Sequence, residues 1–175
     1  LRVALVERED LAHGTSRWSS KLIHGGLRYL AKGDVGIAWE SAVERSVIGS
    51  RIAPHLVRPL TQVLPLAEGE EFARLGARAG LLAADALRVA ARTQRGLLNR
   101  SAPVDLADLH RLAPALRRDG LRGALAVADL QLEDDARYVV AVARTAAAYG
   151  ARILTRVSVA EVTDGRARLV DRASG

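Results

Sequence analysis

The sequence contains no cysteine and no methionine, and aromatic residues make up only 3% of it. The absence of cysteine excludes disulfides, thiolate chemistry and cysteine-based metal sites. The scarcity of aromatic rings leaves few side chains on which bases could stack, which argues against a nucleic-acid-binding protein. No signal peptide is recognisable, and no uncharged apolar run reaches the roughly 18 residues that would predict a membrane-spanning helix.

Lysine is nearly absent as well, with only Lys21 and Lys32, although the formal net charge is +6. The arginines alternate with acids along helical segments rather than forming one block, which is typical of solvated helix faces. A diffuse positive field would still favour an anionic substrate, a nucleotide or a membrane surface. The 175 residues, 49% of them hydrophobic, are enough for one good core and part of a second.

The chain opens on a short, valine-rich run from Leu1 to Val6, which predicts a buried parallel strand and ends at Glu7. In a nucleotide-binding βαβ unit, an acid at the end of the second strand accepts hydrogen bonds from a ribose. Taken alone, Glu7 is explained more simply as a solvated strand end. Because the sequence begins directly on a strand, we expect the chain to be part of a longer protein.

The stretch Thr15–Leu30, T-S-R-W-S-S-K-L-I-H-G-G-L-R-Y-L, concentrates polar chemistry. Its hydroxyls are candidate N-caps for a short helix starting near Ser19 or Ser20, where free backbone N–H groups would attract phosphate. We expect Gly14, before it, to allow a positive φ. Gly25-Gly26 would cost about 1 kcal/mol each inside a helix. That cost indicates close approach to the backbone, either by a flat ring or by a crossing helix.

The remaining pattern alternates helices with strands. Periodicity and end signals predict a helix over Asp34–Ala53, with Ile37 on its apolar face, and one long helix or two over Glu70–Arg95. They also predict helices over Asp105–Leu112 and Asp135–Tyr149, the last of them capped by Asp134. They predict strands over Thr61–Leu66, which Pro65 places near an edge or strand end, and over Gly123–Leu132. A further strand is predicted over Ile153–Val162, pairing through a T-D-G turn with Arg166–Asp171. The segment Glu70–Arg95 has a wide apolar face and a narrow stripe of arginines. This pattern suits burial against a second lobe or contact with an anionic membrane.

Four motifs in order resemble the FAD-dependent glycerol-3-phosphate dehydrogenases. They are G-T-S-R-W-S-S-K-L-I-H-G-G-L-R-Y-L (Gly14–Leu30), A-P-H-L-V-R-P-L (Ala53–Leu60), H-R-L-A-P-A-L (His110–Leu116) and L-E-D-D-A-R-Y-V (Leu132–Val139). The resemblance implies an α/β fold in which a Rossmann-like FAD-binding domain is interleaved with an antiparallel-sheet substrate domain, similar to D-amino-acid oxidase. It implies FAD-domain residues 1–57, a substrate-domain insertion over 58–132, and a return to the FAD domain over 133–175. The family's first strand and glycine turn would precede Leu1, so the FAD domain is incomplete here.

The resemblance also assigns site residues. Glu7 is implied to bind the ribose, and the pyrophosphate and ribityl chain are implied to lie against Thr15, Ser16, Ser19 and Ser20. The flavin ring is implied to pass Lys21, Leu22 and Ile23 and to approach Gly25 and Gly26. The implied catalytic residues are His24, Arg28 and Tyr29, of which Arg28 and Tyr29 would bind the substrate. No metal site is implied.

The implied reaction is oxidation of sn-glycerol 3-phosphate to dihydroxyacetone phosphate, with hydride transfer to FAD and electrons passing to membrane quinone. The implied setting is cytoplasmic and peripheral at the cytoplasmic membrane, with a homodimer allowed and nucleic acid not expected. We expect the chain alone to be inactive. The alternatives are an O2-using glycerophosphate oxidase, another FAD-dependent oxidoreductase of the superfamily, and a non-enzymatic basic amphipathic module that binds membrane or nucleic acid.

Overall fold

The computed structural model describes residues 2–69, 71–117 and 119–174. The chain divides into two compact units. Unit 1 combines Leu1–Lys21 with Glu133–Gly175, and unit 2 is Leu22–Leu132. The second boundary coincides with the predicted return at residue 133, whereas the first falls at 21/22 rather than at 57/58. The assignment of these parts to an FAD domain and a substrate domain stays a prediction.

Unit 1 is built on a pair of parallel strands. Strand β1 (Ala4–Glu7) pairs with β6 (Arg152–Thr155), so that Glu7 lies opposite Thr155. The predicted parallel strand is confirmed, but its predicted burial is wrong, because β1 pairs only with β6 within the described residues and Leu5 is exposed. The helix before β6, α5 (Asp135–Ala148), starts at the predicted N-cap, where the Asp134 carboxylate accepts a hydrogen bond from Arg137 N at 3.0 Å.

The chain of unit 1 ends in a hairpin of β7 (Val157–Thr163) and β8 (Arg166–Asp171). Asp164 and Gly165 both have positive φ, 50° and 71°, as a two-residue type I′ turn requires. The predicted T-D-G turn is therefore confirmed. The strand predicted over 153–162 is instead split in two, since Arg156 adopts a left-handed φ of 59° between β6 and β7.

Unit 2 contains an antiparallel sheet organised around β5 (Leu121–Leu132). On one side β5 pairs with β3 (Val57–Ala67), and it also pairs with the short strands β2 (Leu22–Ile23) and β4 (Ala102–Val104). Within the described residues, β3 lies at the end of the strand order, so Pro59 and Pro65 occur where a missing backbone N–H is tolerated. The predicted edge position of Pro65 is thereby confirmed.

Helices connect these strands. Helix α2 (Val35–Val47) continues as a π-helical turn, Ile48–Ile52, and stops before Pro54 as predicted. Asp34 occupies its N-cap but makes no side-chain capping bond, because its φ and ψ are −87° and 69°. The side chains buried on α2 are Ala38, Ala42, Arg45 and Ser46, whereas Ile37, predicted to face inward, is exposed.

Helix α3 (Glu71–Ala90) is shorter than predicted. Arg92 adopts a left-handed φ of 54° after its last turn, so Arg92 and Arg95 do not share a helical face with Arg78. Glu70 lies outside the described residues, as does the side chain of Arg74. Helix α4 (Leu106–Leu112) agrees with the prediction and is capped by Asp105, which accepts a hydrogen bond from Asp108 N at 2.8 Å.

Candidate active site

The first candidate region of unit 1 lies at the carboxyl ends of β1 and β6. Glu7 is half-buried at the end of β1, and its Oε1 accepts a hydrogen bond from Glu9 N at 2.9 Å. An open cleft of about 360 Å³ follows it, lined by Arg8, Glu9, Asp10, His13, Arg156, Arg172 and Ala173. In open α/β sheets, ligands bind beyond the carboxyl ends of parallel strands. Glu7 is therefore placed where a nucleotide-binding acid is expected.

The hydroxyl-rich segment that follows is not a helix N-terminus. Thr15 and Ser16 lie in an exposed 3₁₀ turn, Thr15–Trp18, and Ser19 is extended with φ −70° and ψ 166°. Ser20 is exposed outside any helix. The helix predicted to start near Ser19 or Ser20 is therefore wrong. Gly14 does not use the positive φ that glycine allows, because its φ is −76°, and Ala12 takes the left-handed position instead.

Asp135 explains why this segment is extended. Its Oδ2 accepts hydrogen bonds from Ser19 Oγ at 2.8 Å and Ser19 N at 3.2 Å, and its Oδ1 lies 2.7 Å from Lys21 Nζ. Lys21 has a left-handed φ of 60°. The three residues form what we name the Asp135 cluster. It fixes Ser19 and Lys21 on the first turn of α5, so the Ser19 side chain does not cap a helix.

Asp135 is buried, with 5% of its surface exposed, and is well supplied with donors. The hydrogen bond from the Lys21 ammonium, followed by that from Ser19, lowers the pKa of Asp135 from 3.8 to about 2, against the opposing effect of burial. The sequence interpretation used only Asp134, as a cap, and missed Asp135. The available signal was the pair of adjacent acids, Asp134 and Asp135. Asp134 caps the helix, so the carboxylate of Asp135 can bind another partner.

In unit 2, the predicted flavin-facing residues Leu22 and Ile23 form strand β2 and pair with Gln131 and Leu130 of β5. Ile23 also packs against the cluster of Leu98, Ala128 and Leu130. After Ile23 the chain leaves the sheet and enters the short helix α1 (Leu27–Leu30). The glycine pair lies in this connection, not inside a helix.

The two glycines are in close contact with α2. Gly26 caps α1 with a φ of 81°, and a Cβ at this position would lie 2.7 Å from Ala38 Cα and 2.9 Å from Ala38 O. A Cβ on Gly25 would overlap the Arg45 guanidinium. Of the two explanations left open by the sequence, a flat ring or a crossing helix, the structure shows the helix as the neighbour.

Arg45 is a residue that the sequence interpretation missed. Its Nη1 lies 2.7 Å from Asp129 Oδ1, and the two side chains are only 8% and 14% exposed. Its Nε is buried without a hydrogen-bond partner among the described residues. The available signal was its spacing from Ala38 and Ala42, which places a charged residue on the buried face of α2.

The predicted catalytic residues lie around α1. His24 precedes the glycines and is exposed, Arg28 is exposed on α1, and Tyr29 is half-buried. The His24 and Tyr29 rings are 6.0 Å apart at an angle of 52°. The Arg28 guanidinium can bind an anion through its planar fork, and Tyr29 can donate one hydrogen bond. The structure thus places His24 beside Tyr29, and Ser19 beside Lys21 in unit 1.

Within the described part of the chain, no helix is long and apolar enough to cross a membrane. The same residues hold no group of three or more His, Asp or Glu side chains that could bind a metal ion.

The model of the FAD dependent oxidoreductase family matches residues 1–175. The chain therefore belongs to this family of flavoenzymes, which confirms the predicted fold class and the predicted FAD cofactor. More particularly, it is 56% identical over 173 residues to glycerol-3-phosphate dehydrogenase 1 of Mycobacterium tuberculosis, covering 98% of this chain and 34% of that protein. The resemblance to glycerol-3-phosphate dehydrogenases is thereby confirmed, over about a third of the relative's length.

Two solved structures share the fold. The glycerol-3-phosphate dehydrogenase of Bacillus halodurans, complexed with FAD, matches with a TM-score of 0.59 at 23% identity, over 99% of this chain and 26% of that one. The L-alpha-glycerophosphate oxidase of Mycoplasma pneumoniae, with FAD bound, matches with a TM-score of 0.60 at 16% identity, over 95% of this chain and 42% of that one.

Proposed function

We propose that this chain is part of an enzyme that oxidises sn-glycerol 3-phosphate to dihydroxyacetone phosphate. The observation that carries the proposal is the 56% identity, over nearly the whole chain, to a protein named for that activity. The family assignment favours an oxidoreductase over the non-enzymatic membrane or nucleic-acid module.

The residues of unit 1 fit FAD. Glu7 offers a carboxylate to ribose hydroxyls at the carboxyl end of β1, and the neighbouring cleft is rich in arginine. The exposed hydroxyls of Thr15, Ser16 and Ser20 are free to donate hydrogen bonds to phosphate oxygens. The side chains of Ser19 and Lys21 are bound by Asp135. We therefore assign these two residues to holding the backbone of the segment in position beside the cofactor.

FAD, when bound, supplies the acceptor for the substrate hydride. The chain's own residues bind and orient the substrate. Arg28 holds the phosphate dianion or a developing alkoxide by charge-assisted hydrogen bonds, and Tyr29 adds a neutral one. His24 is exposed, and its imidazole can accept the proton of the substrate hydroxyl as a general base.

The test is an assay of the enzyme expressed at the full length of its gene. Purified enzyme should carry FAD and turn over sn-glycerol 3-phosphate. It should not turn over glycerol, because glycerol lacks the phosphate that Arg28 binds. Turnover of an amino acid in place of glycerol 3-phosphate would contradict the proposal and favour another branch of the superfamily.

We propose membrane quinone as the electron acceptor, with O2 as the alternative. A glycerophosphate oxidase with FAD bound shares the fold, so the fold alone does not separate the two acceptors. Parallel assays with a soluble quinone analogue and with O2 separate them. Hydrogen peroxide formed in amounts equal to dihydroxyacetone phosphate would favour the oxidase.

We further propose peripheral contact with the cytoplasmic membrane through α3. Leu75, Leu82 and Val89 recur every seven residues on this helix and are all largely exposed, and Arg78 is exposed beside them. An apolar helical stripe flanked by arginine suits an anionic bilayer surface. Sedimentation with anionic and with neutral vesicles tests this contact.

We also propose that the full-length protein can form a homodimer, which analytical ultracentrifugation without lipid would test.

A further inference from the structure

Arg45 and Asp129 form a buried ion pair at the point where strand β2 leaves the sheet. Ile23 pairs with Leu130 of β5, and Asp129 is the preceding residue of that strand. Continuing the antiparallel register by one position places Asp129 opposite His24. The Asp129 carboxylate therefore receives the Arg45 guanidinium where backbone pairing with β2 has ended.

The guanidinium takes the space in which a side chain at position 25 would lie. A Cβ at Gly25 would overlap it, and a Cβ at Gly26 would meet the backbone of Ala38. Ala38 and Arg45 are seven residues apart and therefore lie on one face of α2. Both glycines are thus held against the same helix, one by backbone packing and one by a fixed charged group.

Helix α1 starts at the residue after this glycine pair. It is a single turn, too short to be stable without external contacts. The direction of its side chains therefore depends on its packing against α2 and α3 and on the path of the chain that enters it. Arg28 and Tyr29 are the second and third residues of that turn.

Stability alone does not account for this ion pair. Replacing a buried ion pair by uncharged residues of similar shape is often neutral or stabilising. The buried Nε without a partner among the described residues is a further burden on stability. A buried ion pair is therefore weak evidence for added stability, whereas its contact with the glycine turn is a geometric role that the structure shows directly.

We propose that Arg45, held by Asp129, is a positioning residue that fixes the chain at Gly25 and thereby presents Arg28 and Tyr29 to the substrate. This inference rests on the proposed function, because it assigns the presented residues to substrate binding.

The experiment removes both charges in the full-length enzyme, with Arg45→Met and Asp129→Asn combined. The matched control combines Arg88→Met and Asp85→Asn, since that pair is equally buried, with side chains 8% and 16% exposed and a separation of 3.3 Å from Nε to Oδ1. Among the described residues, Asp85 also accepts a hydrogen bond from Ser101 N, which lies outside the Leu22–Leu30 segment. Kinetics, flavin content and amide hydrogen exchange are measured on both variants.

We expect both variants to retain FAD. In the Arg45/Asp129 variant, kcat/KM for glycerol 3-phosphate falls by about 10- to 100-fold. This is the order expected when a substrate-binding group is displaced by up to about 1 Å. A raised KM contributes to this fall, and hydrogen exchange increases over residues 22–30. The control variant keeps wild-type kinetics and wild-type exchange over that segment.

Unchanged kinetics together with unchanged exchange would overturn the inference. Arg45 would then contribute only to the packing of α2. If the double variant does not fold, Arg45→Lys takes its place, because lysine keeps the charge but lacks the planar group against Gly25. Wild-type kinetics in Arg45→Lys would equally overturn the inference. A wild-type enzyme without activity on glycerol 3-phosphate would refute the proposed function instead, and the exchange measurement would still decide the role of Arg45.

Discussion

A methyl group added at Gly26 would test the contact between the glycine pair and α2. Gly26 has a φ of 81°, and the new Cβ would lie 2.7 Å from Ala38 Cα, a backbone atom that cannot rotate away. The left-handed conformation costs an alanine about 1–2 kcal/mol. Overpacking adds about 1–3 kcal/mol to that. We therefore expect Gly26→Ala to lower the free energy of unfolding by the sum of both effects.

Gly33 supplies the matched control. Its φ is 82°, nearly identical to that of Gly26, but a Cβ there would meet nothing within 4 Å. Gly33→Ala therefore carries the conformational cost alone, and the two variants should differ by about 1–3 kcal/mol, the cost of overpacking. Gly36→Ala, in open space on α2, should be neutral or stabilising, since alanine favours helix more than glycine does.

Urea denaturation followed by circular dichroism measures these differences. Equal destabilisation by Gly26→Ala and Gly33→Ala would refute the packing of Gly26 on Ala38. A loss of stability in Gly36→Ala would show that α2 is not helical at its start, and would remove the basis of the comparison.

Three further predictions follow from single side chains. Lys21→Met should raise the pKa of Asp135 from about 2 toward 3.8. Because the folded-state pKa is depressed, the stability that Asp135 contributes is present above pH 3.8 and is lost as the pH falls toward 2, and this pH-dependent loss should shrink in the variant. An NMR titration of the Asp135 carboxyl carbon checks it, and an unmoved pKa would contradict the cluster. Arg28→Ala should cost about 1–3 kcal/mol in kcat/KM for glycerol 3-phosphate, the range for a charge-assisted hydrogen bond. Steady-state kinetics check this, and wild-type values would remove Arg28 from the site. Leu81→Ala should destabilise the protein by about 2–5 kcal/mol, as for a buried leucine, while Leu82→Ala on the exposed face should leave stability nearly unchanged and weaken vesicle binding. The two leucines are 7% and 70% exposed, and equal effects on unfolding would contradict that difference.

Features fixed by a few neighbouring residues were predictable from the sequence. The Asp134 cap lies next to the helix that it starts, and the Asp164-Gly165 turn is specified by the left-handed preference of its own residues. In each case the local preference and the final contact agree, so no distant residue had to be known.

The conformations around the candidate active site were not predictable, because distant residues determine them. Ser19 is a good N-cap by type, but Asp135, 116 positions away, binds its hydroxyl and keeps it extended. The glycine pair looked helical because its neighbours suit a helix, and only the packing of Ala38 and Arg45 explains its turn. Strand 153–162 was broken by a left-handed arginine that no local rule favours.

The two prolines of strand β3 bear on how the protein behaves when it is concentrated. A sheet edge with free backbone donors can recruit a strand from a neighbouring molecule, which is how aggregates begin. Pro59 and Pro65 have no N–H, and they lie six residues apart along the eleven of β3. An incoming strand would therefore lack a donor near each end of β3, with only the stretch between the prolines left for continuous pairing. The sequence at this edge thus opposes aggregation as well as forming a strand.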